Sequence, residues 1–433
     1  MTDATTREPK PTAQRPFTIA VCGGGIGGLA LAVGLLHQGV PVHVYEAAHA
    51  FAEIGAGIGF GPNSVRAMSL IDPAIQKGFE KRATHNAYPE KRGTFFDFRH
   101  GMDGPHGEAG ALITPVKDKT GALATVHRAH FLDELVKLVP DECASFGKRV
   151  EEVEEVEDGV KLTFHDGSTA EASAVVGCDG IKSRVRAILL GDENKTAHAQ
   201  FTGKYAYRGL IPMDKAVQAL GDELARNSQM YCGYHGHVLT FPIEKGEIMN
   251  VVAFKAKSDG KWEDERWVLP MKWEDLNEDY KDWGDKVKCI LALMEKPDLW
   301  AMFDHLPAAT FTKGRICLLG DSAHASTPHQ GAGAGMALED AYVLSNLLGS
   351  IHKSSDIERA FKAYDAVRRP RAQKLVVTSR EAGTVYEFEA DATGDDPLAI
   401  KADLDTRWDW IWGEDLPKEL EEARKIFSDG GEL

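Results

Sequence analysis

Residues 17–36, FTIAVCGGGIGGLALAVGLL, form an uncharged run of twenty residues, and no Asp, Glu, Lys or Arg stands between Arg15 and Glu46. A stretch of about twenty apolar residues is long enough to cross a bilayer, so this run decides what kind of molecule the chain can be. Its glycines argue against a membrane helix. Gly23, Gly24, Gly25, Gly27 and Gly28 fall together, and each Gly in a helix interior costs about 0.8–1 kcal/mol relative to Ala. The run divides better into a buried strand over 17–22, a tight turn, and a helix from Ile26 that ends near Gly39, a C-terminal cap. A second apolar strand follows over 42–45. The preceding segment MTDATTREPKPTAQRP is polar and reads as a disordered tail without the h-region or cleavage site of a signal peptide.

This β-α-β unit carries Gly23-x-Gly25-x-x-Gly28 on its first turn and Glu46 at the end of its second strand, eighteen positions after Gly28. The glycines permit a sharp turn and close approach of backbone to a pyrophosphate, whose charge is favoured by the unpaired N–H groups of a helix N-terminus. The acid accepts hydrogen bonds from a ribose hydroxyl pair. The spacing predicts a dinucleotide site.

Lys+Arg 50 against Asp+Glu 66 gives a net charge of −16, which disfavours nucleic acid or an anionic membrane as partner. An anionic small molecule would need a locally positive pocket. The six cysteines are scattered, with no CxxC pair, and several sit in apolar runs such as AVCGG, VVGCDG and ICLLGD. That pattern suits reduced thiols in the cytoplasm and predicts neither a disulfide scaffold nor a metal site.

Further along, EIGAGIGFGPNSVRAM is Gly-rich and leads into a short helix, while 88–121 reads as irregular connection or an excursion into a second domain. VHRAHFLDELVKL has helical spacing, and 149–170 reads as hairpin strands in which EEVEEVED forms an exposed face. AVVGCDG and RICLLGDSAH are two further buried strands ending in Asp179-Gly180 and Gly320-Asp321. Aromatic, alternating segments over about 201–300 predict an antiparallel sheet, and the chain from 360 onward reads as helical, with Trp408, Trp410 and Trp412 clustered.

The three strand-end motifs together resemble the class A flavoprotein aromatic hydroxylases, the p-hydroxybenzoate hydroxylase fold, over nearly the whole chain after residue 16. Within that family the likeness is to the salicylate hydroxylases, through EIGAGIGFGPNSVRA, YAYRGLI, GHVLTFPIEKGEIMNVVAF, TPHQGAGAGMALEDAY, YDAVRRPRAQ and TRWDWIWGEDL. The resemblance implies an α/β fold: an FAD-binding Rossmann-type domain over 17–185 and 302–376, an inserted antiparallel-sheet substrate domain over 186–301, and a C-terminal helical segment over 377–433. It implies FAD as cofactor and NADH or NADPH as reductant, with no separate nicotinamide domain. Gly23, Gly25, Gly28 and Glu46 match the family's pyrophosphate turn and ribose acid. Arg128 matches its pyrophosphate and ribityl arginine, Asp179 its Asp-Gly motif, and Asp321 its ribityl-binding acid. Backbone N–H groups of Gly331, Ala332, Gly333 and Ala334 would stabilise negative charge on reduced flavin.

The reaction so implied is hydroxylation of a phenolic aromatic acid by O2 through a flavin C4a-hydroperoxide, with decarboxylation of salicylate to catechol as the reading closest to the motifs. His329 is the expected general base for the substrate phenol, on the ground that an imidazole of ordinary pKa suits neutral pH. Arg208 is the expected carboxylate partner. Phe241, His235 and His237 are expected to cover the substrate from the sheet. Phe241 stands where the related dearomatising hydroxylases would carry Tyr. Hydroxylation of 3-hydroxybenzoate or 6-hydroxynicotinate, or dearomatisation of a polyketide phenol, stays open, as does a flavin protein without hydroxylation. Arg66, Lys204 and Arg184 are available to a nicotinamide phosphate but are not distinguished from surface charge. The chain is expected to act in the cytoplasm as a monomer or homodimer, on a small aromatic acid and O2, away from membranes.

Overall fold

A computed structural model describes residues 15–51 and 57–430, with the side chain of Lys296 excepted. The disordered tail expected before residue 17 thus lies largely outside the described residues, as does the first part of EIGAGIGF.

The uncharged run folds as its glycines require: strand Ile19–Cys22, helix Ile26–His37, strand Val42–Glu46. The helix ends at Gln38, and Gly39 follows at φ +68°, the left-handed conformation that glycine adopts without strain. Ile19–Cys22 is fully buried and pairs in parallel with Val42–Glu46 on one side and Ala174–Gly177 on the other. Ala144–Phe146 and Ile316–Leu318 extend this parallel sheet, and Thr312–Lys313 closes it antiparallel, giving six strands. All-parallel strands must be covered on both faces, and here the apolar helix Ile26–His37 packs on Gly333–Ser350. Gly27 and Gly34 allow the approach, since a Cβ at Gly34 would lie 2.7 Å from Ser345 Oγ. Val150–Val156, Gly159–Phe164 and Thr169–Ala172 form a three-stranded antiparallel sheet at the side, and the acids of EEVEEVED face outward as expected.

The second large sheet has eight strands, and its extent differs from the expected insertion over 186–301. Strands Gln200–Pro212, Gln229–Gly233, Gly236–Ile243, Ile248–Ala256, Val268–Pro270 and Glu295–Asp304 come from the expected region, the last running past its boundary. Thr94–His100 and Leu112–Lys117 complete one edge, with Thr94–His100 pairing parallel to Gln229–Gly233. Of the two readings of 88–121, irregular connection or an excursion into a second domain, the segment follows the second and supplies two strands to this sheet. The alternation in TFFDFRH, with Phe96 and Phe98 buried, is the local signal for it.

Helix Ile357–Tyr386 runs through the expected boundary at 376 and reaches from the parallel sheet to the second one. Short helices Pro397–Leu404 and Asp409–Trp412 and the helix Leu416–Ser428 end the described chain. Trp408 is buried, stacks on Trp412 at 5.7 Å and donates from its indole N–H to the carbonyl of Gln330.

Candidate active site

A cavity of about 360 Å³ lies between the two large sheets. At one end stands the Gly-rich turn. A Cβ on Gly28 would come within 2.0 Å of the Gly23 carbonyl oxygen, and one on Gly23, at φ +108°, within 2.3 Å of the Cys178 oxygen. Only glycine lets the turn fold this tightly against the next strand end, and the N-terminus of Ile26–His37 consequently opens on the cavity through Gly25. Glu46 accepts from the N–H groups of Gly24 and Ala48, both at 2.7 Å, so its carboxylate sits at the mouth of the turn.

A second helix opens on the same cavity. Gly331 adopts φ +61° after the turn Pro328–Gln330, and the eighteen-residue helix Gly333–Ser350 starts with neither a capping side chain nor an acid in its first turn. Gly331, Ala332, Gly333 and Ala334 all line the cavity, so two helix N-termini with unsatisfied N–H groups face one space. Asp321, the first residue of the short helix Asp321–His324, presents an exposed carboxylate there.

The loops are braced from behind. Arg186, fully buried, donates to the carbonyls of Ser322, Ala323 and Leu306. Asp340 accepts from the Gly320 N–H at 3.1 Å and His324 Nε2 at 2.6 Å. It is held in turn by Arg368 at 2.8 Å, which also pairs with Glu339 and Glu419. These braces escaped sequence reading because they join residues far apart in the chain.

Arg128 lines the cavity near Asp321, which offsets part of the burial that lowers its pKa. Across the space, Arg208 rests on the ring of Trp300, 4.7 Å from its centroid. It makes no hydrogen bond or ion pair with another described residue. Burial and the neighbouring charge of Arg128 lower its pKa to about 10, which leaves it cationic at neutral pH. The chain is acidic, yet this space is locally positive.

The walls around Arg208 are apolar, with Phe241, Phe254, Leu239, Val252 and Met302 among them. Phe241 stands over the Gly57 backbone, where any Cβ would meet its ring at 2.4 Å. Thr84, Asn86, Arg92, Thr94 and Phe95 also line the cavity, the last three from the segment read as irregular connection or an excursion into a second domain. His329 closes one wall. It is 2% exposed, neither ring nitrogen has a partner among the described residues, and its ring packs on His237, Phe254 and Tyr386. Burial and the nearby His237 hold its pKa well below 6.5. The ordinary imidazole pKa expected from sequence does not survive this enclosure, and His329 is neutral and weakly basic.

Three expected contacts lie elsewhere. Asp179 turns away from the cavity to cap the helix Arg184–Leu190, accepting from Ser183 Oγ and the N–H groups of Arg184 and Val185. His235 precedes its strand, at φ +60°, and its exposed ring meets Glu389. His237 is fully buried behind His329 and bonds to Glu387. The pair does not share a face over the cavity because His235 belongs to the turn. Of the three basic residues considered for a nicotinamide phosphate, Arg66 donates to the carbonyls of Trp412 and Glu414, Arg184 pairs with Asp192, and Lys204 pairs with Glu387.

A glycine cradle, two uncapped helix N-termini, an acid and a cation along one continuous space fit a flavin dinucleotide, with the apolar pocket left for a substrate. Residues 17–379 match the family described as FAD binding domain. The chain is 44% identical over 423 residues to a 6-methylsalicylate 1-monooxygenase of Aspergillus terreus, covering 96% of this chain and 94% of that protein. It is 38% identical over 425 residues to a salicylate hydroxylase of Pseudomonas putida, covering 95% of both. A solved salicylate hydroxylase substrate complex superposes with a TM-score of 0.85 at 39% identity, covering 95% of this chain and 98% of that one. Among the described residues, no helix is long and apolar enough to cross a membrane.

Proposed function

Since the chain belongs to the FAD binding domain family, as an FAD-dependent aromatic monooxygenase of the salicylate hydroxylase type, we propose that its substrate is an ortho-hydroxylated benzoate. Salicylate, converted to catechol and carbon dioxide at the expense of a nicotinamide nucleotide, is the simplest such compound. The observation that carries this reading is the pairing of Arg208 and His329 in one apolar cavity. One is a cation without a carboxylate partner among the described residues; the other is a neutral imidazole with both nitrogens unpaired.

Bound FAD, once reduced, supplies an electrophilic oxygen atom derived from O2. Gly23, Gly25 and Gly28 would receive its pyrophosphate, Glu46 its adenosine ribose, Arg128 and Asp321 its central portion, and the N–H groups of residues 331–334 its pyrimidine edge. Arg208 binds the substrate carboxylate and thereby orients the ring, its charge offset by that of the guest. The low basicity of His329 makes full removal of a phenol proton unfavourable in the resting complex. It accepts a hydrogen bond from the phenol and takes the proton as the attacked ring becomes electron-poor and its O–H acidic. Attack at the carbon bearing the carboxylate forms one C–O bond. Loss of CO2 then returns the C–C bonding pair to the ring and restores aromaticity, and the former phenol oxygen, left as phenolate, takes its proton back from His329. Phe254 and Phe241 keep water from the pocket.

Two substitutions separate these roles. Arg208→Met should raise KM for salicylate by roughly 10²-fold, the worth of a hydrogen-bonded charge pair, with FAD still bound. His329→Ala should lower kcat by about 10²-fold or more with KM little changed. Stopped-flow and steady-state kinetics on the FAD-loaded variants read both, and an unchanged KM in Arg208→Met would remove the carboxylate assignment.

A further inference from the structure

Outside the cavity, where the strand Ala124–His127 meets the eight-stranded sheet, three ligating side chains gather that hydroxylation as described leaves without a role. His127 ends that strand, and His130 stands in the first turn of the helix Arg128–Val136 that follows. Three residues apart at a helix start, the two rings share a face, with centroids 4.3 Å apart and planes 33° from parallel. Glu244 comes from the turn after the strand Gly236–Ile243, where Glu244 at φ +50° and Lys245 at φ +58° are both left-handed. Its Oε1 lies 3.8 Å from His127 Nε2 and 4.0 Å from His130 Nδ1. One ligating atom of each residue lies within 4.8 Å of those of the other two.

These separations exceed hydrogen-bond reach, and none of the three side chains makes a hydrogen bond to another described residue. They suit an ion between them. Bonds of about 2.0–2.2 Å put the ligand atoms of a tetrahedral zinc ion about 3.4 Å apart, so each measured separation need close by only about half an ångström. The side chains of His130 and Glu244 are 42% and 36% exposed and can make that shift, while His127, at 14%, anchors the set. Two imidazoles and a carboxylate, with one position left to water, are a zinc donor set. The net charge of −16 favours a cation as guest.

We propose that His127, His130 and Glu244 bind one divalent transition-metal ion of the zinc type, which pins the eight-stranded sheet to the strand–helix junction beside the cavity. Phe241 and Pro242, shortly before Glu244, line the cavity, as do Thr125 and Arg128 on either side of His127. Thr125 Oγ1 already donates to the Pro242 carbonyl at 2.5 Å, and the Lys245 N–H to Thr84 Oγ1 at 2.8 Å. The ion adds a third tie to this seam and holds the strand of Phe241 in register with Arg128. None of its three ligands lines the cavity, so it takes no part in the chemistry there. The scattered cysteines predict no metal site, and this one uses none of them. Nor does it depend on which aromatic acid is the substrate.

The test titrates Zn²⁺ into FAD-loaded, EDTA-washed protein by calorimetry and records melting curves of the same samples. The wild-type chain should take up one ion, with a Tm that rises with Zn²⁺ concentration, as binding to the folded state requires. His130→Ala and Glu244→Gln each remove a ligand without touching the cavity. Loss of a group that merely orients a ligand weakens metal binding by roughly 10–100-fold, so each variant should lose about 100-fold or more. At the same Zn²⁺ concentration their Tm should stay where it is without the ion. Retained flavin absorbance shows that a variant is folded, and if one is not, the other carries the test. No uptake by the wild-type chain, or uptake that both variants keep, as ions held by thiols would show, would overturn the site. Uptake lost in the variants but without a Tm rise in the wild-type chain would overturn the pinning.

Discussion

The turn glycines and the cavity side chains carry different kinds of information. Gly28 was legible because its reason is local, a Cβ there meeting the Gly23 carbonyl oxygen at 2.0 Å, and Gly23 because the turn holds it at φ +108°, although a Cβ there would also meet the oxygen of distant Cys178 at 2.3 Å. Gly28→Ala should therefore abolish retention of FAD and lower stability by about 1–3 kcal/mol, the typical cost of overpacking. Flavin absorbance after gel filtration, with a melting curve of the same sample, would show it, and a variant that keeps FAD at wild-type Tm would contradict the cradle. Arg208, Phe241 and His329 were also legible as positions, but their environments were not. The depressed pKa of His329 comes from His237 and from burial among Phe254 and Tyr386, residues distant in sequence. Asp179 shows the converse: an Asp-Gly motif read as a cofactor contact is satisfied by the helix that follows it.

Strands and helices were legible where periodicity is strong and the partner adjacent. The opening β-α-β unit came out within two residues at each boundary. The strands Thr94–His100 and Leu112–Lys117 did not, because the intervening Gly, Pro and His obscured a pairing completed by Gln229–Gly233, far along the chain. Helix Ile357–Tyr386 was legible as a helix, but its function as a tie was not. Arg368 in its middle is fully buried among Asp340, Glu339 and Glu419 and so joins three helices behind the Gly320-Asp321 loop. Removing one partner of such a cluster strands the others. Arg368→Leu should cost about 3–5 kcal/mol, read as a lower urea midpoint. A loss below about 1 kcal/mol would mean that the carboxylates take up protons or water at little expense.

The whole molecule places a cavity with largely apolar walls between a parallel sheet and a mixed eight-stranded sheet, and the buried neutral histidines bear on global stability. Burial lowers the pKa of His237 and His329 well below 6.5 and that of His305 to about 3. The unfolded chain, with histidines near 6.5, binds more protons than the folded one in the interval below that pH, so stability is full above about pH 6.5 and falls as pH drops. Each such histidine withdraws about 1 kcal/mol one unit below it. Urea unfolding at pH 7.5 and 5.5 should show a clear loss, and equal midpoints would mean that these rings are protonated in the folded state. The central claim is chemical, and product analysis reaches it most directly: FAD-loaded protein, NADH, O2 and salicylate labelled with ¹³C in the carboxyl group. Catechol and ¹³CO2 in equal amounts, matching the oxygen consumed, is the result expected from Arg208 holding the carboxylate beside the attacked carbon. Oxidation of NADH that yields only hydrogen peroxide, with the label still on the ring, would contradict it.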